Sequence, residues 1–449
     1  MHIHFISIGG SVMHQLAIAL HKKGYQITGS DDEIFEPAKS NLLAEGLLPE
    51  EIGWRPGNIN TAIDAVILGM HAKGDNPELL RAKELGLKIY SFPEYIYQES
   101  INKKRIAIGG SHGKTSTTAM LMHVLKQTKT SFDYLIGAKL EGFSQSVNIT
   151  DAPVIVCEAD EYPASTLEPR PKFHFLFPHI AVLTGIAWDH INVFPTFDFY
   201  LEQFRIFIQK IEKGGILIYN QTDATLKELV EENKRNDIRY QSYELPNHRI
   251  EKGETIIEIE NNSAVLRVFG NHNLLNLNAA YFVCKELGIN ARDFVNGIQD
   301  FSGAAKRLEV IFNTGDASVY RDFAHAPSKV KATIDAVKQQ FPERKLIAVL
   351  ELHTFSSLNE HFLHQYRGSM DMADEAVVFY SQHALALKRM PALDRTTVFE
   401  GFAKDNLLII NSKEELSSFL ETVRLQNCNL LLMSSGSFDE IDVISTIKS

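Results

Sequence analysis

At 449 residues the chain exceeds one ordinary hydrophobic core, and about 150 residues per domain points to roughly three domains. Charged residues at 22 % and hydrophobic residues at 44 % describe a globular protein, no apolar run approaches the ~18 to 20 residues that span a bilayer, and a net charge of −11 argues against a general nucleic-acid surface. Three scattered cysteines (Cys157, Cys284, Cys428) give neither a disulfide framework nor a zinc site, and Met1 to Ile6 lack the marks of a signal peptide, so a cytoplasmic setting is expected.

The first predicted strand, His2 to Ile8, runs into Gly9-Gly10-Ser11 and then a helical pattern through Leu16, Ala17 and Leu20. The next, Tyr25 to Asp31, ends on an acid about 20 residues after the glycines, where nucleotide-binding sheets place an acceptor. A nucleotide or its sugar fits there. A plain structural turn fits as well, because the third glycine of the dinucleotide pattern is missing and Val12 and His14 stand in that region. Further strands at Ala65 to Leu68 and Leu87 to Ser91 complete a small α/β unit over residues 1–103, and the polar stretch Glu99 to Lys104 reads as a linker.

The densest chemistry follows. The apolar run Arg105 to Ile108 enters Gly109-Gly110-Ser111-His112-Gly113-Lys114-Thr115-Ser116 and continues as an amphipathic segment, the strand, glycine loop and helix of a phosphate cradle. Glycines let backbone N–H groups approach phosphate oxygens, the helix start adds partial positive charge, Lys114 adds a full one, and Thr115 offers a hydroxyl to Mg2+. The usual first glycine of such loops falls on Ile108, so this is a variant that begins at Gly109. Downstream, the strand Pro153 to Cys157 runs into Glu158-Ala159-Asp160-Glu161-Tyr162, and in a nucleotide enzyme Glu158 is placed to hold Mg2+ near the Thr115 hydroxyl. A strand at Ile180 to Thr184 leads to Asp189-His190, where the histidine reads equally as a metal ligand, a proton carrier or a structural residue. A short β-like region spans Thr255 to Phe269. The helix that starts at Gly270-Asn271-His272 sets Asn273 and Asn276 on one face, as a base-reading amide pair or as ordinary caps.

The third unit begins near Ser302-Gly303. A strand, Ser318 to Asp322, runs into Phe323-Ala324-His325-Ala326-Pro327, with Pro327 just inside the next helix. Strands at Lys345 to Leu350, Ala376 to Tyr380 and Asn429 to Met433 alternate with helices as in a Rossmann-like sheet, and Ser434 to Phe438 reads as a turn.

Six motifs thus occur in order: Gly110-Ser111-His112-Gly113-Lys114-Thr115, Glu158 to Tyr162, Asp189-His190, Gly270 to Asn276, Lys306-Arg307-Leu308-Glu309 and Asp322 to Pro327. Over nearly its full length the chain resembles the Mur ligases of peptidoglycan synthesis. The resemblance implies a three-domain α/β architecture: a Rossmann-like UDP-sugar-binding domain over 1–103, a central P-loop ATPase-like domain over 104–302 and a Rossmann-like ligase domain over 303–449. It also implies ATP and Mg2+ as cofactors, and UDP-N-acetylmuramate with a peptide or amino-acid amine as substrates, with no nucleic acid or membrane partner. Tyr162, Lys306 to Glu309 and Met433 to Phe438 are similar to the branch that adds a cell-wall peptide in recycling. Leu352-His353-Thr354-Phe355-Ser356 is similar to the branch that adds L-alanine, with His353 facing substrate.

By the same resemblance, Lys114 holds the β/γ-phosphates, Thr115 and Glu158 bind one Mg2+, and His190 helps bind a second. Asn273 and Asn276 face the adenine, Arg307 reaches the γ-phosphate, and Asp322 takes the ribose with His325 alongside. Gly9, Gly10 and Ser11 meet the pyrophosphate of the UDP-sugar, with Asp31 near the uridine. Lys114, His190 and Arg307 carry the catalysis, and the third domain is expected to close on the second. Two other classes share parts of the pattern. A nucleotide-binding regulator leaves the Gly9 turn unexplained, and a folylpolyglutamate-type ligase does not need the leading 1–103 domain.

Overall fold

A computed structural model describes residues 1–188, 193–304 and 307–448. His190 and the Lys306 of the fifth motif therefore lie outside the described residues. Packing divides the chain into two compact units: Met1–Ile186 with Phe197–Glu244 and Ala279–Asn290, and Ala187–Thr196 with Leu245–Asn278 and Ala291–Ser449.

The first unit holds two sheets. The smaller is wholly parallel, in the order Gln26–Ser30, His2–Ile6, Ala65–Leu68, Lys88–Ser91. The larger has seven strands, in the order Arg239–Tyr243, Ile216–Asn220, Ile180–Leu183, Lys104–Gly109, Val154–Glu158, Asp133–Leu135, Val147–Asn148, parallel except for the last pair. Its central strands are largely apolar, because a parallel sheet is covered on both faces. Ile106, Ala107, Ile108 and Ile180 to Leu183 are at most 1 % exposed. The cradle strand Lys104–Gly109 lies between Ile180–Leu183 and Val154–Glu158, so the carboxyl ends of all three meet at one edge.

The linker expected over Glu99 to Lys104 is a short connection between a helix and a strand. Helix Phe92–Ser100 continues into it, with the Ser91 N–H and hydroxyl both donating to Glu94 at its start. After three intervening residues, 101–103, the next strand begins at Lys104. Arg105, nearly buried, donates to the carbonyls of Ser100 and Ile101 at 3.0 and 3.2 Å and pairs with Glu212 at 2.7 Å. Neighbouring Lys103 is also committed inward: its ammonium meets Asp133 at 2.6 Å and the carbonyls of Thr150 and Ala152 at 2.6 and 3.0 Å. The other Asp133 oxygen accepts from the Thr150 N–H and hydroxyl, so a buried ion pair is fully hydrogen-bonded.

The second unit contains a three-stranded antiparallel sheet, Asn247–Glu251, Glu254–Ile259 and Asn262–Leu266, larger than the sequence suggests. Its two-residue turns, Lys252-Gly253 and Glu260-Asn261, all have positive φ, matching the twist of tight hairpins. The six-stranded sheet runs Glu309–Asn313, Ser318–Asp322, Cys428–Met433, Lys345–Leu352, Glu375–Tyr380, Leu408–Ile410, parallel except for its first pair. Helices cover both faces with separate apolar clusters, one around Ile334, Leu350 and Tyr380 and one around Val349, Phe379 and Leu420. No described helix is long and apolar enough to cross a membrane.

Candidate functional site

The loop after Lys104–Gly109 is shaped by two glycines. Gly110 has φ +127° and Gly113 has φ +83°, a region that L side chains avoid. A Cβ on Gly110 would stand 2.2 Å from Thr184 Oγ1. Thr184 explains the tight fit: its N–H and hydroxyl both donate to the Gly109 carbonyl, at 3.1 Å each, and the hydroxyl also reaches the His112 carbonyl. The Ser111 N–H donates to the Gly185 carbonyl at 3.0 Å. Gly113 caps helix Lys114–Gln127 with no side-chain hydrogen bond, so the first N–H groups of the helix have no intrahelical partner and suit an anion.

Acids gather at the end of the neighbouring strand. The Thr115 hydroxyl donates to Glu158 Oε1 at 2.8 Å, and the Gly137 N–H donates to Glu158 Oε2 at 2.8 Å. Lys114 Nζ donates to Glu161 and to the Gly110 carbonyl, both at 2.6 Å. Burial favours the neutral amine, but Glu161 and Asp160 outweigh it and raise the Lys114 pKa above its ordinary value, so the charge is retained. Asp160 is matched by Lys172 at 2.7 Å; burial opposes its ionisation, yet Lys172 and Lys114 bring its pKa below the ordinary value.

Among the described residues no three His, Cys, Asp or Glu side chains are arranged around a metal position. The Thr115 hydroxyl and Glu158 carboxylate are nevertheless hard oxygen donors side by side at a phosphate loop, a donor set that fits Mg2+. His190, the remaining ligand expected from sequence, lies outside the described residues.

A cavity of about 730 Å3 opens in the same unit, lined by the Gly9-Gly10-Ser11 turn, Asp31, Gln15 and Lys139 among others. Its size suits a nucleotide sugar. The Gly9 N–H donates to Asp31 at 2.7 Å, so the turn and the acid singled out in sequence are in direct contact. Burial pushes the Asp31 carboxyl up to about 6, against the pull of the Gly9 N–H. The far wall comes from residues 137–146, and Gly137 is the residue bonded to Glu158. One carboxylate thus joins the cavity wall to the phosphate loop. Lys139, Gln15 and the 137–146 wall carry no periodic sequence signal and were not singled out above.

In the second unit Arg307, Asp322 and His325 come together. The Arg307 guanidinium lies 5.0 Å over the Phe323 ring, and the His325 ring bonds the Phe323 carbonyl at 2.7 Å. Asp322 is buried, which raises its pKa above the ordinary value although Arg307 opposes the shift. One Asp322 oxygen accepts from the Leu308 N–H at 2.5 Å and the other from the Ala324 N–H at 2.6 Å, so the side chain anchors the segment that carries Arg307. Asn273 and Asn276 are both buried at the start of helix Asn271–Glu286, and Asn273 donates to the Phe269 carbonyl at 2.9 Å, a local bond of the helix start. His353 stands past the end of Lys345–Leu352, 3.7 Å from buried Glu351. Glu351 accepts from the Ser434 hydroxyl and the Phe438 N–H, and a Cβ on Gly436 would meet the His353 ring at 2.7 Å. The Ser434 to Phe438 turn is therefore fixed to the strand end that presents His353.

Residues 2–103 match the Mur ligase family catalytic domain, 108–284 the Mur ligase middle domain and 306–436 the Mur ligase glutamate ligase domain. The UDP-N-acetylmuramate–L-alanine ligase of Persephonella marina is 33 % identical over 377 residues, covering 81 % of this chain and 79 % of the relative. That of Carboxydothermus hydrogenoformans is 28 % identical over 453 residues, covering 98 % and 95 %. Among solved structures, a murein peptide ligase from Psychrobacter arcticus 273-4 superposes with TM-score 0.64 at 22 % identity, covering 100 % of this chain and 98 % of the other. The UDP-N-acetylmuramate-alanine ligase of Thermotoga maritima gives 0.68 at 21 %, covering 100 % and 97 %. At such identity these two speak for the fold alone. The three domain matches and the 33 % identical relative carry the assignment: the chain belongs to the Mur ligase family and is an ATP-dependent, ADP-forming ligase of peptidoglycan synthesis.

Proposed function

We propose that this ligase acts in the cytoplasm and joins the carboxylate of UDP-N-acetylmuramate to the amine of a cell-wall peptide, L-Ala-γ-D-Glu-meso-diaminopimelate, in peptidoglycan recycling. One observation carries the two-nucleotide part of the reading: Glu158 binds the Thr115 hydroxyl of the phosphate loop with one oxygen and the Gly137 wall of the large cavity with the other. A nucleotide sugar in the cavity and a triphosphate on the loop would then share one boundary, as phosphorylation of the sugar's carboxylate requires. The peptide as acceptor rests on the likeness of Glu158 to Tyr162 and of the Arg307 and Met433 to Phe438 segments to the peptide-adding branch. L-alanine is the second reading, favoured by His353 at its strand end and by the names of the curated relatives.

In chemical terms a carboxylate oxygen attacks the γ-phosphorus of ATP, the bond to the ADP oxygen breaks, and an acyl phosphate forms. The amine then attacks the acyl carbon, loses a proton, and phosphate leaves. Lys114 neutralises charge on the transferring phosphoryl group and the loop N–H groups orient the phosphates. Thr115 and Glu158 would hold Mg2+, which offsets phosphate charge and polarises the phosphorus when bound. Asp322 keeps the Arg307 segment in place, and Asp31 with the Gly9 turn orients the uridine end.

Phosphate release from ATP, measured with UDP-N-acetylmuramate plus either the tripeptide or L-alanine, tests the reading. Turnover with the tripeptide is expected. Turnover with alanine alone selects the second reading, and no amine-dependent turnover with either overturns both.

A further inference from the structure

Glu161 is three residues beyond Glu158 and is 1 % exposed. Its Oε2 accepts from Lys114 Nζ at 2.6 Å. Its Oε1 accepts from the Tyr200 hydroxyl at 3.3 Å, and that hydroxyl lies 2.7 Å from Ser111 Oγ in the glycine loop. Tyr200 belongs to helix Phe197–Gln209, is fully buried, and packs edge-on against Phe204 with ring centroids 5.1 Å apart. Glu161 is therefore held between the loop lysine and a rigid aromatic side chain and has no solvent to turn into.

The consequence is electrostatic. Asp160 is also paired with Lys172, whereas the ion pair of Glu161 is with Lys114, whose single charge Asp160 and Glu158 face as well. A phosphate oxygen that reaches the ammonium also comes within a few ångströms of the Glu161 carboxylate. At the effective dielectric of a partly buried site, a like-charge contact at ~5 Å is worth more than a factor of ten in affinity. A divalent cation riding on the phosphates cancels that repulsion; the bare nucleotide does not.

We propose that Glu161 is a positioning residue that clamps Lys114 and sets the form of nucleotide the loop accepts, admitting the divalent-cation complex and discriminating against the same nucleotide without its metal. This rests on the reading of residues 109–116 as the ATP site. Calorimetric binding of ADP to the full chain, with Mg2+ and with a chelator, tests it through the ratio of the two dissociation constants. Glu161→Gln keeps the shape and both partners, with its amide oxygen accepting from Lys114 and its NH2 donating to the Tyr200 hydroxyl, which then donates to Ser111 Oγ, but removes the charge. It is expected to tighten metal-free ADP binding by about tenfold or more while changing the Mg2+-ADP constant by less than about threefold. Glu161→Asp keeps the charge and should retain the wild-type ratio. An unchanged ratio in Glu161→Gln, equal loss of both ligand forms, or a collapse of the ratio in Glu161→Asp would each overturn the proposal. Lys114→Ala separates this from the parent reading: if it leaves Mg2+-ADP binding intact, the loop is not the nucleotide site.

Discussion

The Thr115 hydroxyl donates to one oxygen of the Glu158 carboxylate at 2.8 Å while the second oxygen accepts from the Gly137 N–H, so one side chain ties the glycine loop to the cavity wall. Glu158→Ala should lower turnover by about 100- to 1000-fold, as loss of a group that fixes transition-state charge does. On the proposed placement of UDP-N-acetylmuramate against Asp31 and the Gly9 turn, the sugar nucleotide should still bind. Steady-state phosphate release and calorimetry of the sugar nucleotide together check this; equal loss of both would mean that the carboxylate only holds the fold.

Gly110→Ala places a Cβ 2.2 Å from Thr184 Oγ1 at a φ of +127°. Thr184 cannot yield without releasing the Gly109 and His112 carbonyls, so the loop must shift. A displacement of about 1 Å at the phosphates is expected to cost about 100-fold in turnover. Circular dichroism should remain native, which distinguishes a moved loop from an unfolded chain.

The Lys103–Asp133 pair predicts a stability defect away from the chemistry. Asp133→Ala strands a buried ammonium and removes the acceptor of the Thr150 N–H and hydroxyl. Breaking one side of such a pair costs about 3 to 5 kcal/mol. The denaturation midpoint should fall accordingly, and Lys103→Met combined with Asp133→Leu should recover part of the loss.

Asp31 gives a pH signature. Its folded pKa, about 6, lies above the ordinary 3.8 because burial penalises the charge. A raised carboxyl pKa contributes stability that is fully present below the unfolded value and lost as pH rises through the folded one. Between pH 4 and about 6.5 the wild type should therefore lose a component of thermal stability that Asp31→Asn does not lose. Melting scans across that range check the sign; parallel curves for the two proteins would refute it.

Much of this was readable from the chain. The phosphate loop, the acids after Val154–Glu158 and the Gly9 turn are local patterns, in which an apolar strand meets glycines or carboxylates within a few residues. What escaped depends on partners far apart in sequence. The 137–146 wall has no periodicity and is placed by the contact of Gly137 with Glu158. Strands Asn247–Glu251 and Glu309–Asn313 carry partly exposed and charged residues that hide the alternation. Asp322, linked by resemblance to the ribose, also spends its oxygens on the N–H groups of Leu308 and Ala324, a role that only the folded backbone reveals. Among three clustered acids, the turn after Glu158 decides that Glu161, rather than Asp160, meets Lys114.

The junction at Arg105 bears on modularity. Besides the Arg105 bonds to the Ser100 and Ile101 carbonyls, the Thr166 hydroxyl donates to the Ala72 carbonyl at 3.0 Å and the Ser146 N–H donates to Gln15 at 3.2 Å. Residues 1–103 are thus stitched to the central sheet by side chains from both. A chimera that takes only those residues from another family member would inherit the Gly9 and Asp31 side of the cavity without its opposite wall. The transferable unit of the cavity is the leading segment together with residues 137–146, and exchanging either alone should give a folded protein with a mismatched pocket.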